Sequence, residues 1–451
     1  AASDVYKRQT VQAATGSGTE PSVTAYATKA QLMTAFTPDA NGTATTKGKL
    51  VFGKKSDGTT AQEWYILGKD EGVSGDNTII FAASPIATWQ KFNSSYSNKS
   101  FTSSFGVYAS NPSDVYANHY GASDLRVALQ GMATNTNYFT TAEQGLMNAT
   151  TVKTKDTKNS NVTYTTTDKL YALQGNYNDK NKLWAGTSDS TVLAMSSYWS
   201  NGSWFWLRSP YADGDGSALL ALPGYSVLGD NLYFERAVQP ASNLDLSSVL
   251  FASAATAASS DTKSEKITDS AAMTLRLDGT GKDIGTVTYN TTTGDIKVVK
   301  GTTSQTVALV VQGNDGTNDW YYSKQISGTD NVIVNASDIA AESNTPSDID
   351  LANCKIWLEV TEDSVAYAVE ATATTDVVKT NISSVEITDI DTPVSNTALD
   401  TSAVCATQGV STTAPAVTWT PNDINAGYNT IYTASVTLAA SANYEFTDSV
   451  I

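Results

Sequence analysis

Apolar residues along this chain fall mostly in short runs bounded by Asp-Gly, Ser-Gly and Asn-Gly pairs. Such runs predict strands, because Gly, Asp and Asn accept the backbone angles that a tight reversal needs. From Gly48 onward, Leu50-Val-Phe52, Glu63-Trp-Tyr-Ile-Leu67 and Thr78-Ile-Ile-Phe-Ala82 are three strands of this kind. Helical spacing is rarer. Ser123 is placed to cap a helix over Asp124–Met132, where Leu125, Ala128 and Leu129 share a face. Thr140 and Glu143 form a capping box that opens a helix over 142–148. Short helices are also predicted over Lys29–Phe36, Thr167–Gln174 and Ala336–Glu342.

The same pattern divides the chain. Residues 1–45, rich in Thr, Ala and Gly, read as a linker, and the opening Ala1 to Gln9 reads as translated adapter sequence, so the chain is taken as a fragment. Residues 46–255 mix strands with helices and hold the densest aromatic stretch, Tyr198, Trp199, Trp204, Phe205 and Trp206. Ala-Ser-rich residues 252–266 read as a linker. Over 267–378, strand patterns recur at roughly 8–12 residues, the spacing of a β-sandwich. Over 381–451, Tyr432, Ala434, Val436 and Leu438 alternate with Thr433, Ser435 and Thr437, so one face is expected in a core and one in water. Val417 and Trp419 are assigned to the opposing face of this immunoglobulin-like module, which is expected to lack its last strand. The expected class is α+β for the first domain, followed by two all-β sandwiches.

Composition narrows the partners. Charged residues are 16% of the chain, below the roughly 25% usual for soluble domains. Thr, Ser and Asn fill the gap, giving a surface solubilised by hydroxyls and amides, as expected of an extracellular or cell-wall-associated protein. The net charge of −17 argues against nucleic acid, which needs a basic, counterion-releasing surface. No apolar run is long enough to insert into a membrane. Cys354 and Cys405 lie far apart, which leaves neither a disulfide framework nor a thiolate metal motif.

Five segments in order carry a likeness: Glu63-Trp-Tyr-Ile-Leu67, Tyr120-Gly-Ala-Ser-Asp-Leu-Arg126, Phe139-Thr-Thr-Ala-Glu143, Trp206-Leu-Arg-Ser-Pro210 and Ala237-Val-Gln-Pro-Ala241. Over roughly residues 46–252 the chain resembles the DUF6273 domains of exported gut Firmicutes proteins, and the tail resembles the Ig-like repeats that accompany them. The resemblance implies a C-type-lectin-like fold, similar to the variable proteins of diversity-generating retroelements. In those proteins a scaffold presents its ligand site late in the domain, here Tyr211 to Arg236.

Candidate chemistry is sparse. His119 is the one imidazole, and residues 46–255 contain no cysteine, so a Ser-His-Asp or Cys-His arrangement is not expected. Asp213-Gly-Asp215-Gly invites calcium, but the twelfth position of such a loop is Gly224, where a bidentate Glu belongs. No cofactor is therefore expected. Asp213, Asp215, Asp230 and Glu235 sit among turn residues rather than in an apolar setting that would tune them for glycan hydrolysis. Tyr211, Asp213, Asp215, Ser217, Tyr225, Ser226, Asp230, Asn231, Tyr233, Glu235 and Arg236 instead mix rigid amphipathic rings with small polar groups, the composition of a paratope. Trp204, Trp206 and Arg208 are read as its support, with Arg208 stacking on an indole and pairing a carboxylate. The expected function is recognition of a protein or glycan ligand. A ligand-free surface spacer is the first alternative, and a carboxylate-based glycan-active enzyme the second.

Overall fold

Thr, Val, Ile and Tyr fill most of the predicted strands, and their branched or aromatic side chains fit a half-buried pleated surface. In the computed structural model, strand accounts for 44% of the chain and helix for 11%. It describes residues 25–187, 189–199, 202–212, 215–223, 226–268, 271–327, 332–375, 380–441 and 444–447. The expected α+β class is thereby overturned, and with it the lectin-like domain followed by two Ig-like sandwiches. The described α-helices are short pieces set between many sheets, the longest being Asp124–Ala133.

Two of the predicted helices have the start signals read from the sequence. The Ser123 hydroxyl accepts from the Arg126 N–H at 3.1 Å, and the helix buries Leu125 and Leu129. At Thr141–Leu146, Thr140 and Glu143 bond each other's backbone N–H, at 3.3 and 2.8 Å. The helix predicted over Thr167–Gln174 is instead made of strand ends, Val162–Asp168, Leu170–Tyr171 and Gln174–Asn176. Consecutive Thr165, Thr166 and Thr167 favour the extended chain, and the hairpin partner Thr150–Asp156 supplies their backbone bonds.

Residues 25–289 and 294–373 fall in one compact unit. At its centre is a five-stranded sheet ordered Leu170–Tyr171, Ala241–Asp245, Asn77–Ala82, Ala61–Ile66, Lys49–Lys54. Its middle strand, Asn77–Ala82, is buried at every position, which is why Ile79 to Ala82 run apolar without alternation. A second five-stranded sheet carries the stretch of functional interest. Its order is Ser226–Asn231, Ser217–Leu222, Phe205–Pro210, Arg236–Val238, Ala87–Gln90.

An eight-stranded sheet joins segments assigned from sequence to separate domains. Val249–Ser253 pairs with Thr274–Asp278, which pairs in parallel with Val365–Glu370. Tyr26–Thr28 adds to its edge through Val249–Ser253. The stretches read as linkers, within 1–45 and 252–266, therefore supply strands where they are described. Ala252, Ser253, Ala255 and Ala258 are buried, and strand Thr262–Ile267 closes the other edge against Asp319–Ile326. Small side chains there permit close packing rather than chain freedom.

The described residues of 290–293 and 374–447 form the second unit. It is built of two-stranded pairs: Thr380–Ile382 with Tyr444–Phe446, Ile387–Thr388 with Val404–Cys405, and Val417–Thr420 with Thr433–Val436. Val417 and Trp419 are direct cross-strand partners of Val436 and Ala434, so they sit in the same pair and not on an opposing sheet. Ala434, expected in the core, is exposed. No helix among the described residues is long and apolar enough to cross a membrane.

Candidate functional site

Alternation along one hairpin decides where the predicted site residues go. Ser217–Leu222 and Ser226–Asn231 pair so that Leu219 faces Gly229 and Ala218 faces Asp230. Cross-strand partners share a face, and successive residues change face. Leu219 and Ala221 join the core cluster of Phe205, Leu207 and Val227, whereas Ala218, Leu220 and Leu222 join that of Trp206 and Val238. The stretch from Tyr211 to Arg236 is thus divided between two sides of one sheet. Asp213 and Tyr225 lie outside the described residues.

On the side of Ala218 stands a group of aromatic rings around one guanidinium. Arg236 Nε donates to Asp230 Oδ2 at 2.8 Å, and its guanidinium carbon lies 4.8 Å from the Trp204 ring and 5.1 Å from the Phe234 ring. Trp204 is 45% exposed and Phe234 50%. Tyr96 and Tyr233 meet edge to face at 4.2 Å, and the Lys91 ammonium stands 5.9 Å from the Tyr233 ring. The Asn231 side chain accepts from the Tyr96 hydroxyl and from the Tyr233 N–H, fixing both rings to the hairpin end. Glu235 and Asp215 are exposed nearby in sequence, and Ser217 and Ser226 are half-buried in the hairpin. Trp204, read from the sequence as support, belongs to this exposed group.

Strand Ala87–Gln90 borders the group and adds a strained residue. Arg236 pairs with Gln90 and Val238 with Ala87, so Thr88 and Trp89 together oppose Ala237 in a bulge. Trp89 has φ of 64° and is 75% exposed. A bulky residue in the left-handed region is held there by its surroundings, at a strain of about 1–3 kcal/mol. Trp89, Tyr96 and Phe234 were not among the residues chosen from sequence. Phe234 was legible, flanked by Tyr233 and Glu235; Trp89 and Tyr96 come from more than a hundred residues upstream.

On the opposite side, the Tyr211 ring covers Gly229, where an added Cβ would stand 2.7 Å from it. Tyr177 meets Tyr211 edge to face at 5.2 Å, and Lys180 stands 4.3 Å from the Tyr177 ring. The Asn118 amide donates to the Ser217 carbonyl at 3.1 Å. A cavity of about 340 Å³ opens beside these rings, among Lys155, Asn161, Gln174, Tyr177 and Ser209.

Beneath both sides lie the buried members of the stretch. Trp206 is buried and donates to the Gln90 carbonyl at 2.8 Å. Arg208 is fully buried; it donates to the Lys153 and Ala172 carbonyls at 3.0 and 2.9 Å and pairs with Asp189 at 2.7 Å. The stacking expected on an indole is replaced by these carbonyl contacts. Burial pushes the Asp189 carboxyl up from its ordinary range, and Arg208 pulls it back.

His119 is 2% exposed. Its Nδ1 accepts from the Ala122 N–H at 3.1 Å, which leaves the proton on Nε2, 2.6 Å from the Tyr108 hydroxyl. Tyr108 in turn donates to Asp156 at 2.7 Å, and the imidazole stacks on Tyr164 at 4.1 Å. Burial brings the His119 pKa down to about 4, against 6.5 when free. The folded pKa lies below the unfolded one, so the unfolded chain takes the proton first as pH falls. Stability from this group should be full above about pH 6.5, fall by roughly 3 kcal/mol towards pH 4, and level off below. Urea unfolding across that range checks this against His119→Asn, which should show a flatter slope; equal slopes would refute it.

Among the described residues no group of three His, Cys, Asp or Glu side chains is placed to hold a metal ion. Asp230, the most enclosed of the predicted carboxylates among the described residues, is committed to Arg236. A larger cavity, about 420 Å³, lies over Arg276 and Glu359 and is lined largely by Ala, Thr and Val; each guanidinium nitrogen of Arg276 is already hydrogen-bonded within the protein. No family model, no curated protein and no solved structure matches this chain.

Proposed function

We propose that the chain is an extracellular recognition protein that docks a protein ligand on the face formed by Trp204, Tyr233, Phe234 and Arg236. The observation that carries this reading is the Arg236 guanidinium held between two half-exposed rings while pinned by Asp230. Trp, Tyr and Arg dominate binding hot spots, Trp and Tyr because they bury much area while losing few rotamers, Arg through its planar fork of donors. Here the rotamers are already restricted by ring contacts and by the Asn231 hydrogen bonds, so little ordering remains to be done on binding. A surface rich in hydroxyls and amides supports the extracellular setting.

The test is a screen of the whole chain against arrays of purified extracellular proteins and of glycans, repeated with Trp204→Ala, Tyr233→Ala and Arg236→Ala together. A protein hit should weaken by at least about a hundredfold in the triple variant, as expected for loss of hot-spot anchors. Trp204→Ala and Tyr233→Ala taken singly should leave thermal unfolding nearly unchanged, because both rings are exposed, and so separate lost binding from the loss of the partly buried Arg236–Asp230 pair. Blank protein arrays, or protein hits indifferent to the triple variant, count against this face and favour a spacer without a protein ligand. Hits confined to glycans and weakened by the triple variant reassign the face to sugars.

A further inference from the structure

We infer that the cavity beside Tyr177 and Tyr211, on the other side of the hairpin sheet from Arg236, is a binding site for a neutral pyranose sugar. Four carboxamides line it, Asn161, Gln174, Asn176 and Asn178, together with Thr157 and one wall formed by Tyr177. Its volume of about 340 Å³ is at the lower end of ordinary small-molecule sites.

The lining chemistry selects the ligand class. A carboxamide offers a donor and an acceptor side by side, and so does a sugar hydroxyl, so each amide can bond a polyol in both directions. An anion uses donors only and would strand the amide oxygens. A cation would need carboxylates, and the lining holds none among the described residues. Lys155 is the one ammonium there, on an exposed side chain, which is too little to organise a phosphate or carboxylate. The carboxamides of Asn161 and Asn178 make no hydrogen bond to another described residue, so both remain available to a ligand.

The walls are set in advance. Asn176 Oδ1 accepts from the Asn178 N–H at 3.0 Å, closing the tight turn that presents both residues. Asn161 follows Ser160 in the left-handed region, with φ of 58° and 61°, at the tip of the hairpin between Thr150–Asp156 and Val162–Asp168. Ser209 exchanges bonds of 3.0 and 2.9 Å with the Gly175 backbone, which fixes the floor. Tyr177 is held by the Tyr211 edge and the Lys180 ammonium, and it supplies the apolar surface that sugar C–H groups cover. The site shares no side chain with the Arg236 face, so the two stand or fall separately.

Saturation-transfer NMR on the full chain with glucose, galactose, mannose and N-acetylglucosamine, and with glucuronic acid and inorganic phosphate as anionic probes, tests the inference. At least one neutral pyranose should give a signal, weakened about tenfold or more by Tyr177→Ala and by the Asn161→Ala, Asn178→Ala pair. Lys297→Ala, an exposed side chain on a strand of a different sheet, should leave it intact. Since Tyr177, Asn161 and Asn178 are exposed, unchanged thermal unfolding of the variants establishes that folding is not the cause. Silence from every neutral sugar, signals from anionic probes alone, or a neutral signal that survives the Tyr177 and Asn variants would each overturn the site.

Discussion

Arg276→Ala should lower the unfolding free energy of the larger unit by roughly 3–5 kcal/mol, the loss typical of a buried charge left without its partner. Arg276 Nε donates to Glu359 at 2.9 Å, and both side chains are almost wholly buried. The rest of the guanidinium bonds the Ser253 and Thr274 carbonyls at 3.0 and 2.9 Å and the Ala255 carbonyl at 2.6 Å. The Trp357 indole also donates to Glu359. Removing Arg276 therefore strands a carboxylate and three acceptors together. The ion pair itself gains little over an apolar filling, because desolvating two charges offsets most of their attraction. Arg276→Met combined with Glu359→Leu should accordingly recover most of the loss. Urea unfolding followed by tryptophan fluorescence measures both. A single-variant loss under about 1 kcal/mol, the range of an exposed pair, would contradict the burial argument. A double variant as unstable as the single would contradict the desolvation argument.

That cluster also explains where the sequence misleads. Ala252, Ser253 and Ala255 belong to an Ala-Ser stretch that reads as a flexible linker, yet Arg276 binds two of its carbonyls from a neighbouring strand. Composition records side-chain size but not whether backbone acceptors find a buried donor. Capped helices were legible because their signals are local: Ser123 with Arg126 and Thr140 with Glu143 each span three residues. Strand order was not, because pairings such as Thr274–Asp278 with Val365–Glu370 join segments nearly ninety residues apart in the chain.

The candidate site was legible in the same uneven way. Tyr211 to Arg236 announces a hairpin through its turn residues, and period-two alternation places Gly229 and Asp230 on different sides. Taking the stretch as one paratope overlooked that alternation. Tyr96 reaches the Arg236 side through a long-range contact, its bond to Asn231. The strand that holds Trp89, Ala87–Gln90, shows no apolar period that would mark it, and Tyr96 lies in the loop that follows.

Arg208→Ala should cost a further loss of similar size, roughly 3–5 kcal/mol at neutral pH, through a different set of stranded groups. Arg208 staples hairpin Thr150–Asp156, the Ala172 segment and Asp189 to the strand that leads into Tyr211. Arg208→Lys should recover little, because an ammonium on a flexible stem cannot hold three acceptors in the plane of a guanidinium. The pH dependence separates charge from packing. Burial already raises the Asp189 carboxyl, and Arg208 is the cation that draws it back down. Without Arg208 the folded carboxyl rises further above its unfolded value, so the folded variant takes up a proton as pH falls while the unfolded chain does not. Proton uptake by the folded state stabilises it on acidification, and the gap between variant and wild type should narrow from neutral pH to about pH 5. Urea midpoints of both proteins at the two pH values measure that gap. A gap that holds constant would locate the damage in lost packing and carbonyl contacts, and not in a carboxylate buried without its counterion.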